Sequence, residues 1–381
     1  MARKRLLIRE DPLQNWKLLD RFRTVLRRLP RRTTATAPED PRRQLLEEDY
    51  FCSYLFAMLN PAITSMRAFC HASTGRKMRQ VCSHPVSPAS FSEGQHVFSP
   101  QVLEQVVRQM ARQALGLEAG GDERVRQALK TLTAVDGTVL RAVPRMVWAP
   151  ASGAGCAVRL HLHFSVFDQV PERWEVTPGK VCERKVLAKM AQAGSMLVGD
   201  RHYSNDYQLL ERLCEQGVDF VFRLHNNAIL TPVTRKNRRT QKDLAAGVVW
   251  DGWMQLGVHG QGPVLRVVRV EANGEVFHLV TNRADLSAEL ISLVYRQRWQ
   301  IELFFKWIKT ILNCRHWLAE SPRGAAIQIY CVLIAALLLM LWTGRRPNKR
   351  AVESLRLYWM GWATEDELVL LLQKSYPSKK S

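Results

Sequence analysis

Apolar residues recur at helical spacing through the first third of the chain, alternate with polar ones through the middle, and return to helical spacing near the end. Leu13, Trp16, Leu19, Phe22, Leu26 and Leu29 define a helix over 12–30 that Pro30 ends. A Pro-, Thr- and Arg-rich linker follows from Arg31 to Arg43, and the helical period resumes from Leu45 to Leu117, broken at 84–100 by Pro85, Pro88 and Gly94. Period-two alternation then takes over at Thr131–Leu140, at Val158, Leu160, Leu162 and Phe164, and near Trp174–Val176, predicting three strands. Arg159, His161 and His163 share the other face of the second strand and read as a solvated or DNA-facing surface rather than as metal ligands. A helix over 181–193, the apolar strand Ser195–Gly199, a helix over 206–216 and a strand over Asp219–Leu224 complete a mixed α/β sheet.

A second group of strand-like runs spans 248–256, 264–270 and 276–281, after a basic loop of Arg235, Lys236, Arg238, Arg239 and Lys242. Asn273-Gly274 joins the last two runs, a strong hairpin signal. The eighteen residues Ala325–Trp342 hold only Gln328 and Tyr330 as polar groups, the lower limit for spanning a membrane. Arg315, Arg323, Arg345 and Arg346 flank both ends, so no charge asymmetry supports insertion and a buried core helix is expected. Thr364 with Glu367 forms a capping box for a final helix.

The pattern divides the chain into a basic helix and linker (1–44), a helical N-terminal domain (45–126), a first part of an α/β core (127–225), a β-rich insertion (226–285), a second core part (286–345) and a basic helical tail (346–381). With thirteen Lys or Arg among residues 1–45 just before it, the helical domain suits recognition of DNA ends; dimerisation or packing is the alternative.

Charge narrows the partner. Lys plus Arg is 55 against 35 Asp plus Glu, a net charge of +20. Such a field attracts nucleic acid or an anionic membrane surface. Residues 1–45 alone hold thirteen Lys or Arg against five acids. Structural nucleic-acid binders share that signature, so charge does not by itself indicate an enzyme. The eight cysteines show no paired framework, and the basic N-terminus lacks an apolar signal-peptide run, which reads as a reduced, cytoplasmic protein. Cys70, His71, Cys82 and His84 have metal-ligand types without zinc-site spacing.

Candidate chemistry lies in the segment Tyr295–Lys309. Tyr295, Arg298, Glu302 and Lys309 follow at steps of three, four and seven residues, which on one helix gives a stripe ~60° wide and ~21 Å long. Ile301, Leu303, Phe304, Ile308 and Ile311 around it are apolar. One acid among three phosphate-seeking groups suits a polyanion with a metal ion, while a plain Arg298–Glu302 pair is the simpler alternative. Asp136 stands within the first strand and Asp200 ends the apolar fourth, where α/β sheets place functional side chains. Two aspartates on neighbouring strands and a glutamate on a packed helix can hold two hard divalent cations, Mg²⁺ or Mn²⁺, about 4 Å apart.

These residues carry a resemblance. AVDGT around Asp136, LVGDRHY around Asp200, and LVTNRADLSAELISLVYRQRWQIELFFKWIK with its Tyr-x2-Arg-x3-Glu-x6-Lys signature resemble the DDE transposases of bacterial insertion sequences, specifically the insertion sequence four family. The resemblance implies a ribonuclease-H-like mixed sheet flanked by helices and interrupted by a β-rich insertion. It also implies catalytic Asp136, Asp200 and Glu302 binding two Mg²⁺, with Mn²⁺ as a substitute. By the same match Tyr295, Arg298 and Lys309, with Arg201, contact DNA phosphates, and Trp250 and Trp253 lie in the insertion where family members can place an aromatic that stacks on a flipped base, burial in the sheet being the alternative for either. The implied partners are double-stranded DNA at terminal inverted repeats and target DNA, with a homodimer in the synaptic complex and no membrane. His202 stands where many relatives have Gly before the aromatic residue. A metal-dependent nuclease or resolvase of the same fold, or a non-catalytic DNA-binding descendant, remains as an alternative.

Overall fold

The computed structural model describes residues 17–29, 42–60, 62–153, 155–233, 239–258, 261–311 and 317–375. Six helices come first: α1 (Lys17–Arg28), α2 (Glu47–Leu59), α3 (Met66–Ser73), α4 (Pro88–Val97), α5 (Pro100–Ala114) and α6 (Glu123–Ala128). The strands β1 (Thr133–Arg141), β2 (Ala157–Ser165) and β3 (Pro171–Pro178) follow, then α7 (Glu183–Met190), β4 (Met196–Gly199), α8 (Tyr207–Glu215) and β5 (Asp219–Arg223). Next come β6 (Leu230–Pro232), α9 (Gln241–Ala245), β7 (Val248–Leu256), β8 (Val264–Ala272) and β9 (Glu275–Thr281). The chain continues with α10 (Ala288–Gln297), α11 (Trp299–Ile311), α12 (Pro322–Thr343), α13 (Lys349–Trp359) and α14 (Glu365–Ser375). Leu13, Trp16, Pro30 with the linker residues 31–41, and Arg235, Lys236, Arg238 and Arg315 lie outside the described residues.

All nine strands among the described residues join one sheet in the order β3-β2-β1-β4-β5-β9-β8-β7-β6. The first three pair antiparallel, while β4 and β5 run parallel to β1. The β-rich segment therefore extends the core sheet: β9 pairs antiparallel with β5 through Val221↔Thr281. Asn273 (φ 54) and Gly274 (φ 77) make the β8–β9 turn, both in the left-handed region that a tight two-residue hairpin requires.

Strand alternation builds two cores. Ala134, Val198 and Val221 face a large cluster with α10, α11, α12 and the N-terminal helices, whereas Val135, Leu197 and Phe220 face a smaller one with Leu187 of α7 and Leu209, Leu210 and Leu213 of α8. The centre of the larger core is α12, packed against α1, α2, α4 and α5. It is long and apolar enough to cross a membrane, but 83% of its apolar window is buried inside the protein, so its composition serves the core. Ser321 caps its first turn by accepting from the Gly324 N–H, and Gly344 (φ 70) ends it.

The face bearing Arg159, His161 and His163 is covered, contrary to the surface expected from sequence. Both histidines are buried, and His161 Nε2 lies 2.9 Å from Thr177 Oγ1. Burial and the nearby arginine charges push His161 down to about 4 and His163 to about 3. These residues belong to the same strand face as Gly137, which α7 packs against, so alternation marked the face but not its cover.

Candidate active site

Asp136, inside β1, and Asp200, just past the end of β4, stand where the parallel pairing of these two strands stops. Ala134 pairs with Val198, and each aspartate lies two residues further along its own strand direction, on the face those two residues share. Neighbouring strands are roughly 4.8 Å apart, so the carboxylates are close neighbours. Asp136 Oδ1 accepts from the Gly137 N–H at 2.7 Å and Asp200 Oδ1 from the His202 N–H at 2.9 Å. The loop after Asp200 is pinned by Ser204, whose hydroxyl donates to the Arg223 carbonyl at 2.6 Å. Burial and then the charges of Asp200 and Glu183 raise Asp136 to about 7, against the pull of the Gly137 N–H and of Arg298.

Glu302 arrives from the opposite wall. Phe304 of α11 packs on Phe164 of β2, with ring centroids 4.8 Å apart, and this contact holds the helix over β1. The stripe expected on one helix is built on two. α10 ends at Gln297, and i→i+3 bonds from Arg298 N to Tyr295 O (3.1 Å) and from Ile301 N to Arg298 O (3.2 Å) tighten the junction. Arg298, at that turn, places Nη1 2.5 Å from Glu302 Oε1 and its guanidinium 5.8 Å from the Tyr295 ring centre. It also feels the Asp136 charge, so one cation acts on two of the acids. Lys309 is exposed further along α11, and Arg201 is exposed beside Asp200.

The strand group from β6 to β9 supports this wall. Arg266, buried, forks onto Asp251 with both bonds at 2.8 Å and donates to the Leu286 carbonyl at 2.6 Å. Asp243 Oδ1 accepts from the Glu289 N–H at 2.8 Å, capping α10 from α9. Trp250 and Trp253 point to opposite faces of β7. Trp253 shares a cross-strand row with Arg266, Thr281, Val221, Val198 and Ala134, the face of the aspartates. Trp250 packs into the smaller core with Arg269 5.2 Å from its ring centre.

Glu183, at the first position of α7, was not singled out from sequence. It pairs with Arg159 and shares an electrostatic neighbourhood with Asp136, Asp200 and Tyr203. The available signal was Gly137, since a glycine inside a strand often marks a close approach. Among the described residues, no group of three or more His, Cys, Asp or Glu side chains has a metal-holding arrangement, and Glu302 is engaged by Arg298. The donor set nonetheless suits hard cations: Asp136, Asp200 and Glu302 offer only oxygens, with the guanidinium of Arg298 beside them.

Three antiparallel strands followed by two parallel ones, with one aspartate inside β1, one just after β4 and a glutamate helix over them, define a ribonuclease-H-like fold. A family model described as the transposase DDE domain matches residues 127–338, and the chain belongs to that family. A probable transposase for insertion sequence element IS5377 from Geobacillus stearothermophilus is 31% identical over 230 residues, 59% of this chain and 60% of that protein. The putative transposase y4zB of Sinorhizobium fredii is 25% identical over 276 residues, 71% of this chain and 76% of that protein. The putative transposase InsL for insertion sequence element IS186A of Escherichia coli is 25% identical over 252 residues, 55% of this chain and 65% of that protein. The match thus spans less than two thirds of the first of these relatives.

Proposed function

We propose that this protein is a DNA transposase that cleaves and joins DNA at the ends of its own insertion sequence. The observation that carries the proposal is the placement of Asp136 and Asp200 two residues beyond the paired Ala134 and Val198 of adjacent parallel strands, beneath the helix of Glu302. Asp136, Asp200 and Glu302 would hold two Mg²⁺ ions, or Mn²⁺ in their place. When bound, the metals supply activation of water or a 3′-hydroxyl and stabilisation of the leaving 3′-oxygen.

The chain's own residues position the strand. Arg298 holds Glu302 in the DNA-free protein and moves to a phosphate when DNA enters, releasing the carboxylate. Tyr295, Lys309 and Arg201 add phosphate contacts along the same wall. Trp253, on the catalytic face, is the tryptophan placed for stacking on a base, while Trp250 serves the smaller core. Residues 45–126 recognise the terminal inverted repeats, and two copies bring two ends together in the bacterial cytoplasm, at the nucleoid.

The test incubates purified protein with DNA bearing the element's ends and Mg²⁺, comparing wild type with Glu302→Gln. Cleavage by wild type and loss in the variant is the expected result; equal cleavage by both overturns the assignment.

A further inference from the structure

Behind Asp136, on the other face of β1, lies a charged pair that the proposed chemistry does not use. Arg159 and Glu183 are joined by a salt bridge, with side chains 17% and 13% exposed. The pair reaches the centre because β3 ends beside Val158, which pairs with Leu140, so α7 begins near the end of β1. Glu183 then rests on Gly137. A Cβ at Gly137 would lie 2.9 Å from Glu183 Oε1 and 3.0 Å from its Cδ, so only glycine leaves the carboxylate its place. Gly199, preceding Asp200, plays the matching part: a Cβ there would lie 2.8 Å from the ring of Tyr203. A glycine beside each aspartate thus admits one side chain from behind, Glu183 at Gly137 and Tyr203 at Gly199.

We propose that Arg159 and Glu183 are positioning residues for the metal centre: Glu183 fixes the backbone that carries Asp136, and Arg159 balances the negative charge Glu183 adds. The pair as a whole is neutral. Removing Glu183 alone leaves an uncompensated guanidinium behind the aspartates, which repels a cation. Removing Arg159 alone leaves an extra carboxylate, which attracts one. Removing both restores neutrality. A purely packing role predicts a different pattern, in which each single change is harmful and the double change is at least as harmful.

The proposal rests on the metal-centre reading, and the test separates the two. Mn²⁺ binding to the full chain is followed without DNA, from the electron paramagnetic resonance signal of free Mn²⁺, with thermal unfolding as the check of fold. Glu183→Gln is expected to weaken Mn²⁺ binding by about tenfold or more, the usual scale for residues that orient ligands. The Arg159→Gln/Glu183→Gln double variant is expected to recover most of that loss, and Arg159→Gln to bind at least as tightly as wild type. Wild-type binding by Glu183→Gln, or no recovery in the double variant, overturns the proposal. Asp136→Asn is the control: if it binds Mn²⁺ like wild type, the metal-centre reading itself fails. Loss in Asp136→Asn with no change in Glu183→Gln rejects only the role of the pair. Should Glu183→Gln not fold, Gly137→Ala displaces the same carboxylate; it is expected to weaken Mn²⁺ binding, and wild-type binding by it overturns the proposal.

Discussion

Arg298 holds Glu302 at 2.5 Å on the turn where α10 passes into α11, and the same guanidinium feels the charge of Asp136. A carboxylate proposed for metal binding is therefore engaged by a cation proposed for phosphate. The two roles follow one another if DNA phosphate replaces Glu302 as the partner of Arg298.

That exchange makes Arg298 demanding to replace. Arg298→Lys keeps the charge but loses the planar fork, and cleavage is expected to fall about 10²-fold, the scale of a small misplacement at a reacting centre. Arg298→Ala is expected to reduce the slope of log affinity against log salt by about 1, one phosphate contact. An unchanged slope would mean that Arg298 stays on Glu302.

Asp136 should oppose stability at neutral pH. Its folded-state pKa, about 7, lies above the ordinary 3.8, so its contribution to stability is full below about pH 4 and is lost progressively as the pH rises to about 7. In chelator, Asp136→Asn is expected to melt a few degrees higher than wild type at pH 8, with the gap narrowing toward pH 4. Melting curves at several pH values check this; a variant that is less stable at pH 8 contradicts it.

The tryptophans separate by face. Trp253→Ala is expected to weaken binding of end DNA by about 1–3 kcal/mol, the range for one base stacked on an aromatic ring, with little effect on melting. Trp250→Ala is expected to cost about 3–5 kcal/mol of stability, since its ring packs in the smaller core. Gel-shift and denaturation measurements on both variants decide, and the reverse pattern would reassign the two residues.

Asp251 and Arg266 join β7 and β8 to the segment leading into α10. Asp251→Ala leaves a buried guanidinium without its carboxylate and is expected to cost about 3–5 kcal/mol. Arg266→Met also removes the donor to the carbonyls of Arg283, Ala284 and Leu286, so it should cost at least as much. Urea denaturation measures both; losses below about 1 kcal/mol would mean the pair is dispensable.

Much of the core was legible because its signals are local. Alternation at Val158–Phe164 and the apolar Ser195–Gly199 run correspond to β2 and β4, Asn273-Gly274 makes the β8–β9 turn, and Thr364 with Glu367 caps α14. The face of β2 bearing His161 and His163 was misjudged for the same reason. A period of two says which residues share a face, and polar residues on it look solvated until the fold is seen to bury them.

By itself the sequence determined most of the elements and the net positive charge, and offered the three acids as candidates, because period, turn chemistry and residue type act over a few neighbours. Tertiary structure decided what no local rule contains. Parallel pairing of β1 with β4 put Asp136 beside Asp200 across more than sixty residues of chain. The tight turn at Arg298 divided one expected helix into two while keeping Arg298 on Glu302. Gly137 admitted Glu183 behind the first aspartate. Each depends on which distant surfaces meet, and close packing, unlike periodicity, is a property of the folded chain as a whole.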